Sequence, residues 1–347
     1  MMEYRSLGRT GVPVSMFCLG CMNFGSPTPE AESFDMIDRA LDAGINFLDT
    51  ANVYSHGVSE TIVGKALQRN GQRSRIVLAT KVHGRMDDDD RLAYGNNRRH
   101  IIEQCEASLK RLQTDYIDLY QIHRPQSDMA IDETLRALDD LITAGKVRYI
   151  GTSTFPAWEV MESLWVSKEL GLHRFVTEQP PYHLLDRTIE RELLPLAQTY
   201  GLAIMPWSPL ARGFLTGRYR RGEAIPDDSR LAHDGANANP AFRKRTQEHF
   251  SDMAYNVLDT VAALAKAKNA TIAQVALAWV ARQPGVTSPI IGPRTMAHLE
   301  ENLGAVDVTF SADDYAQIDD VAPPEQAIVP YYHGRMVDFK PPQYRWL

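Results

Sequence analysis

Four residues between positions 49 and 123 have types and positions suited to proton transfer. The segment GINFLDTANVYSHGVSE, residues 44–60, is an apolar run that ends in Asp49 and is followed by Tyr54. The next two apolar runs end in the same manner: IVLATK closes on Lys81 and YIDLYQIH closes on His123. An acid, a phenol, an amine and an imidazole thus stand at successive strand ends. Each has a structural alternative. Asp49 could cap a turn, Tyr54 could be a surface aromatic, Lys81 a salt-bridge partner, and His123 a core histidine whose strand is stopped by Pro125. Their joint occurrence favours chemistry, because the structural account needs several independent coincidences on one face.

The elements that must position them alternate along nearly the whole chain. Eight apolar runs have strand length: MFCLG, INFLD, IVLATK, YIDLYQIH, VRYIGTS, RFVTEQ, LAIMPW and TSPIIG. Amphipathic helices are expected between them. Thr28-Pro29 reads as an N-cap with proline at the first helical position, Phe34, Ile37 and Leu41 share one face, and Gly44 sits at the C-terminal end. IDETLRALDDLITAG repeats that logic, with Ile131, Leu135, Leu138, Leu141 and Ile142 facing the core and Gly145 closing the helix. A strand apolar on both faces that needs a crossover helix belongs to a parallel sheet, and eight such units predict an α/β fold of the (β/α)8 TIM barrel type. An open doubly wound sheet is the alternative. Against it, no G-x-G-x-x-G follows an early strand; GCMNFG at Gly20–Gly25 has the wrong spacing, and Gly64-Lys65 lacks the glycines of a P-loop. In a barrel the chemistry lies at the carboxyl ends of the strands, which here also carry Ser153, Gln179 and Trp207.

Composition narrows the function further. With 347 residues, 44% hydrophobic and 23% charged, the chain is read as one domain, 1–347. The net charge of −7 argues against nucleic acid or an anionic membrane as main partner. No apolar run approaches the ~20 residues of a membrane span, and MMEYRSLGRTG has no signal-peptide core, so a cytoplasmic location is expected. Cys18 and Cys21 form a CxxC within a strand-like run and without a second ligand pair, and read as two small core residues. The run Asp87–Asp90 reads as a solvated loop. No metal is expected.

Several separated motifs, in order, resemble the aldo-keto reductase superfamily. They are the opening EYRSLGRTGVPVS, similar to an N-terminal hairpin over residues 1–15, then GINFLDTANVY, ATK, QIHRP, EQPPYHLLDR, PWSPLARGFLTGRY and SPIIGPRTMAHLEENLGAV. The resemblance implies a barrel that binds a nicotinamide cofactor without a Rossmann domain, and it makes Asp49, Tyr54, Lys81 and His123 a catalytic tetrad. The residue types agree with that. A carbonyl that receives a hydride needs a proton, and a free tyrosine with a pKa of about 10 gives one reluctantly. An ammonium on Lys81 would favour the tyrosinate, Asp49 would hold the lysine, and His123 would orient the carbonyl oxygen.

The resemblance also implies the cofactor contacts. Ser153 and Gln179 would hold the nicotinamide carboxamide, although the family usually has Asn after that Ser and this chain has Thr154. Trp207 would stack beneath the ring, a core residue at the barrel rim being the alternative. The long segment 208–250, beginning at Ser208, would fold over the cofactor, with backbone donors of Leu210, Ala211 and Gly213 at the pyrophosphate and Arg212 and Arg218 adding charge; residues 226–241 could instead be a disordered insertion. After Gly292 a helix starts near Thr295. Arg294 beside it would read a 2′-phosphate, favouring NADPH over NADH, with His298, Glu301 and Asn302 near the adenine. Phe24, His83 and Tyr94 are candidate substrate contacts. The tail 323–347, with Pro341-Pro342, Tyr344 and Trp346, could cap the site or pack in a homo-oligomer. The expected activity is reduction of an aldehyde or ketone, reversible in principle. A cofactor-loaded regulatory or channel-associated subunit and a non-redox sugar isomerase or lyase are the alternatives.

Overall fold

The computed structural model describes residues 1–236 and 240–331. The chain opens with an antiparallel hairpin, β1 (Tyr4–Ser6) and β2 (Pro13–Ser15), paired from Tyr4↔Ser15 to Ser6↔Pro13. Eight parallel strands follow: β3 (Cys18–Gly20), β4 (Phe47–Asp49), β5 (Val77–Val82), β6 (Ile117–Ile122), β7 (Val147–Ser153), β8 (Phe175–Gln179), β9 (Ala203–Ile204) and β10 (Ile290–Ile291). They lie side by side in the order β10-β3-β4-β5-β6-β7-β8-β9. The ring closes between its last two members, where Thr287 N donates to Ile204 O at 2.8 Å and Ile290 N to Pro206 O at 2.8 Å. This is the (β/α)8 barrel, seven of its strands falling within the apolar runs and β5 running one residue past its own, to Val82.

The strands are buried on both faces because each face meets a different core. Side chains alternate along a strand. Phe47, Val77, Ala79 and Leu119 point inward and pack with Leu7 and Val14 of the hairpin segment, which seals the amino end of the barrel. Leu48, Leu78, Tyr120 and Ile122 point outward and join the larger core under the helices. That outer layer includes α1 (Glu30–Asp42), α2 (Val58–Asn70), α3 (Arg98–Leu112), α4 (Ile131–Thr143), α5 (Ala157–Leu170) and α6 (Leu193–Tyr200). Gly64 is explained by packing: a Cβ there would lie 2.5 Å from Arg111 O, so its absence lets α2 approach α3.

One cap differs from expectation. The first helix begins at Glu30 with Pro29 at the cap position, and the Thr28 hydroxyl donates instead to Arg294 O at 2.9 Å. Gly44 does end that helix in the left-handed region, φ 90°.

The long segment after β9 is folded. It comprises a 3-10 turn at Ala211–Thr216, then α7 (Arg230–Gly235) and α8 (Pro240–Glu248), and leads into α9 (Asp252–Ala267). An aromatic cluster anchors it: Phe214 stacks on Tyr219 with centroids 6.1 Å apart and meets Tyr255 at 5.3 Å. The possible insertion at 226–241 therefore contains helical turns, although residues 237–239 lie outside the described residues. Then come α10 (Ile272–Ala281), α11 (Met296–Leu303) and α12 (Ala312–Val321). Beyond them, residues 326–331 run back along the loop after β8: Ile328 N and Val329 N donate to Leu185 O, and Tyr331 N donates to Asp186 Oδ2 at 2.8 Å. The rest of the tail, with Pro341, Pro342, Tyr344 and Trp346, lies outside the described residues. Among the described residues no helix is long and apolar enough to cross a membrane.

Candidate active site

The inward alternation that buries Phe47, Ala79 and Leu119 continues, two residues on, to Asp49, Lys81 and Gln121. Asp49 borders a cavity of about 890 Å³ at the carboxyl end of the barrel, and Lys81 and Gln121 are buried behind it. Lys81 is fully buried, and its three ammonium protons have three acceptors: an Asp49 carboxylate oxygen, Thr50 O at 2.8 Å and the Tyr54 hydroxyl at 3.3 Å. Burial opposes the charge on Lys81, but Asp49 and Tyr54 overcome it and hold the amine above its usual pKa. The other Asp49 oxygen accepts from Gln121 Nε2 and Gln179 Nε2, each at 3.0 Å. A buried ion pair is tolerable only when its remaining valences are satisfied in this way.

Tyr54 is aimed by an uncommon turn. Ser55, His56 and Gly57 all have positive φ, at 48°, 50° and 88°. For the two non-glycines this costs roughly 1–2 kcal/mol each, strain of the kind that collects at functional sites. The Tyr54 ring meets His123 edge-on, with centroids 5.7 Å apart and planes at 81°. His123 is tied to β5 through N–H to Val82 O at 2.9 Å. Desolvation, followed by the charges of Arg124 and Lys81, holds its pKa well below the usual histidine value, so the ring is neutral at pH 7 and offers one N–H.

Asp49, Tyr54 and His123 border the cavity, and Lys81 stands directly behind them. Ser153, Gln179, Trp207, Ser208, Leu210 and Gly213 line one part of the wall, and Arg218, Gly292, Arg294, His298, Glu301 and Asn302 line another. Gln179 turns its amide N–H groups to Asp49 and, at 3.3 Å, to Gln121, leaving its carbonyl for a ligand. The Ser153 hydroxyl donates to Gln179 O at 3.0 Å. Trp207 faces Tyr331 edge-on at 4.9 Å, and its indole N–H has no hydrogen-bond partner among the described residues.

Other expected contacts are corrected. Phe24 is fully buried in the outer core and does not reach the cavity. His83 bonds Asn96 at 2.8 Å and Tyr94 at 3.2 Å, so that pair forms its own cluster outside the cavity lining. Ala211 is likewise buried; its N–H donates to Ser208 O at 2.8 Å and that of Gly213 to Leu210 O at 2.9 Å, so these two amides serve the turn. Ser208, Ala211, Arg212 and Gly213 all take positive φ to build it. At the start of α11, Thr295 Oγ1 accepts from His298 N and Glu32 accepts from Met296 N, so these two amides of the helix end are already bonded. Arg218 pairs with Asp228 at 2.5 Å.

Three residues at the site were not expected, while Tyr331, within the tail expected near the site, lines the cavity. Gln121 brackets Asp49; its place two residues before His123 on a strand was the available signal. Arg124 follows His123 and lines the cavity. Asn23 donates to Gly292 O at 3.1 Å and Pro293 O at 3.2 Å, tying the loop after β3 to the segment before α11.

The profile of the Aldo/keto reductase family matches residues 17–323. An uncharacterized oxidoreductase, YrpG, of Bacillus subtilis (strain 168) is 40% identical over 93% of this chain and 96% of its own length. The versiconal hemiacetal acetate reductase of Aspergillus parasiticus is 36% identical over 92% of this chain and 96% of its own length. A probable voltage-gated potassium channel subunit beta of Arabidopsis thaliana is 37% identical over 88% of this chain and 92% of its own length. With the barrel, the buried lysine and aspartate and the cavity above them, these matches identify the chain as a member of the aldo/keto reductase family.

Proposed function

We propose that the protein is an NADPH-dependent reductase of aldehydes or ketones, with Tyr54 as general acid. The observation that carries this reading is the three-way coordination of Lys81, which puts a permanent cation on the hydroxyl of a tyrosine that faces the cavity. Tyr54 would give its proton to the substrate oxygen, and Lys81 would stabilise the phenolate left behind. Asp49, fixed by Gln121 and Gln179, keeps Lys81 charged and in place. His123, being neutral, would donate its N–H to the same substrate oxygen without competing for the proton. The same groups would serve the reverse oxidation.

A reduced nicotinamide cofactor supplies the hydride when bound. The residues present fit such a group: the uncommitted Gln179 carbonyl lies beside the tetrad, the Trp207 indole borders the same space, and a ligand can approach Gly213 and Gly292, where a Cβ would have 3.8–3.9 Å to its nearest neighbours. Arg212, Arg218, Arg230 and Arg294 all line the cavity and give it the charge a dinucleotide phosphate needs. Arg294, with His298 nearby, favours NADPH over NADH. A cytoplasmic location fits such a cofactor.

The channel-subunit relative favours a second reading, a cofactor-binding regulatory protein with negligible turnover. Titration with NADPH and NADH, followed through tryptophan fluorescence, and then a panel of aldehydes and ketones followed through cofactor absorbance separate the two. Tight NADPH binding with turnover supports the reductase. Tight binding without turnover across the panel supports the regulatory protein, and absence of binding overturns both.

A further inference from the structure

We propose that Arg124 recognises an oxyanion on the substrate, so that the preferred carbonyl compound carries a carboxylate or a phosphate. This rests on the reductase reading and adds the substrate class to it. Arg124 lines the cavity beside His123 and is half-buried. Its Nη1 donates to His123 O at 2.7 Å and to Thr154 Oγ1 at 2.9 Å, which fixes the guanidinium plane. Both acceptors are neutral. No described residue accepts from Nε or Nη2, and no described carboxylate lies within ion-pair distance of the group. Some arginines of this barrel do have such partners, half-buried Arg111 with Glu60 and Arg73 with Asp118 and buried Arg187 with Glu190 and Asp319, whereas half-buried Arg174 and Arg282 donate to backbone carbonyls; Arg124 differs from those two in lining the cavity. A half-buried guanidinium without an ion-pair contact is left partly unsatisfied, and the edge left over, Nε with Nη2, is the one that grips a carboxylate or phosphate with two parallel hydrogen bonds.

Position separates Arg124 from the expected cofactor charges. It follows β6, whereas Arg294 follows β10, and in the ring order β10-β3-β4-β5-β6 these strands are four steps apart, on opposite sides of an eight-stranded barrel. Arg212, Arg218 and Arg230 belong to the segment after β9, three steps from β6. An anion bound by Arg124 therefore belongs to a molecule on the His123 side of the mouth. A neutral carbonyl compound offers a guanidinium there no counter-charge.

The test compares 4-carboxybenzaldehyde with its neutral isostere 4-carbamoylbenzaldehyde, reading the ratio of their kcat/KM values. The wild-type ratio is expected to be at least about 10 and to fall roughly 10- to 100-fold in Arg124→Gln, the range for a charge-assisted hydrogen bond. Arg124→Lys, which keeps the charge and loses the fork, should fall between. If Arg124 only clips the Thr154 turn, both substrates decline together and the ratio stays constant, which overturns the proposal. Calorimetric binding of the two aldehydes to the protein loaded with oxidised cofactor gives the same ratio without turnover. Carboxylate preference in binding with no reduction would refute the reductase reading and leave the arginine's role intact; equal binding of the two would refute the role of Arg124.

Discussion

Replacing Lys81 by Met tests the reasoning about the site at its centre. Lys81 is fully buried and its removal strands the buried Asp49 without a counter-charge, a change that typically costs about 3–5 kcal/mol. Gln121 and Gln179 still donate to Asp49 at 3.0 Å each, and hydrogen bonds to a charged group contribute about 1.5–3 kcal/mol, so the loss should sit at the lower end, about 3 kcal/mol. Asp49→Asn alone leaves Lys81 with Thr50 O and the Tyr54 hydroxyl and should cost about 2–3 kcal/mol. The double variant removes both charges, and its cost should be smaller than the sum of the single costs by about 2 kcal/mol or more, the signature of direct coupling. Urea titration of all four proteins measures the cycle. Additivity within about 0.5 kcal/mol would refute the claim that the pair is a coupled, buried unit. Turnover of Lys81→Met on any carbonyl that the wild type reduces should drop at least about 100-fold, the scale of a lost acid-base arrangement.

Three other outcomes follow from the same geometry. Tyr54→Phe should bind NADPH within about threefold of the wild type while losing roughly 10²–10⁴ in turnover, and near-normal turnover would remove Tyr54 from the acid role. Arg294→Ala should weaken NADPH by about 10-fold or more, the scale of one charge-assisted hydrogen bond, and NADH far less; equal weakening in fluorescence titrations would mean that this arginine does not read the 2′-phosphate. Glu178 lies fully buried under the Ser153–Thr154 turn, accepts from Phe155 N at 3.1 Å, and is pushed by burial up to about 8. Because its folded pKa lies above the unfolded one, the folded state holds the extra proton, and stability falls as pH rises from about 4.5 to about 8. Thermal midpoints of Glu178→Gln and wild type should therefore converge near pH 5 and separate in favour of the variant by pH 8; parallel curves would refute the assignment.

The barrel was legible because its strands are apolar on both faces and its helices on one, a pattern that needs no tertiary knowledge. Asp49, Lys81 and His123 were legible because a polar residue closing a doubly buried strand has no neutral explanation when it recurs three times. Gln121 was passed over because it sits inside its strand, although the two-residue period that turns His123 to the cavity turns Gln121 the same way. Phe24 was misplaced for a different reason: an apolar residue in a loop after a strand reads alike whether it lines a cleft or packs beneath a helix. His83 and Tyr94 looked available because sequence does not show that they satisfy each other. The committed amides of Ala211 and Gly213 depend on a set of left-handed residues, three of them non-glycine, that no composition signals.

The hairpin seal has a consequence for traffic. Leu7 and Val14 stopper the amino end of the barrel with apolar groups, which makes the cylinder a cup with one rim. Among the described residues, the hairpin side chains packed below Asp49 and Lys81 are apolar. Under the proposed function, a proton given up by Tyr54 would then be restored from the rim, and recharging the acid and exchanging the product would share one doorway.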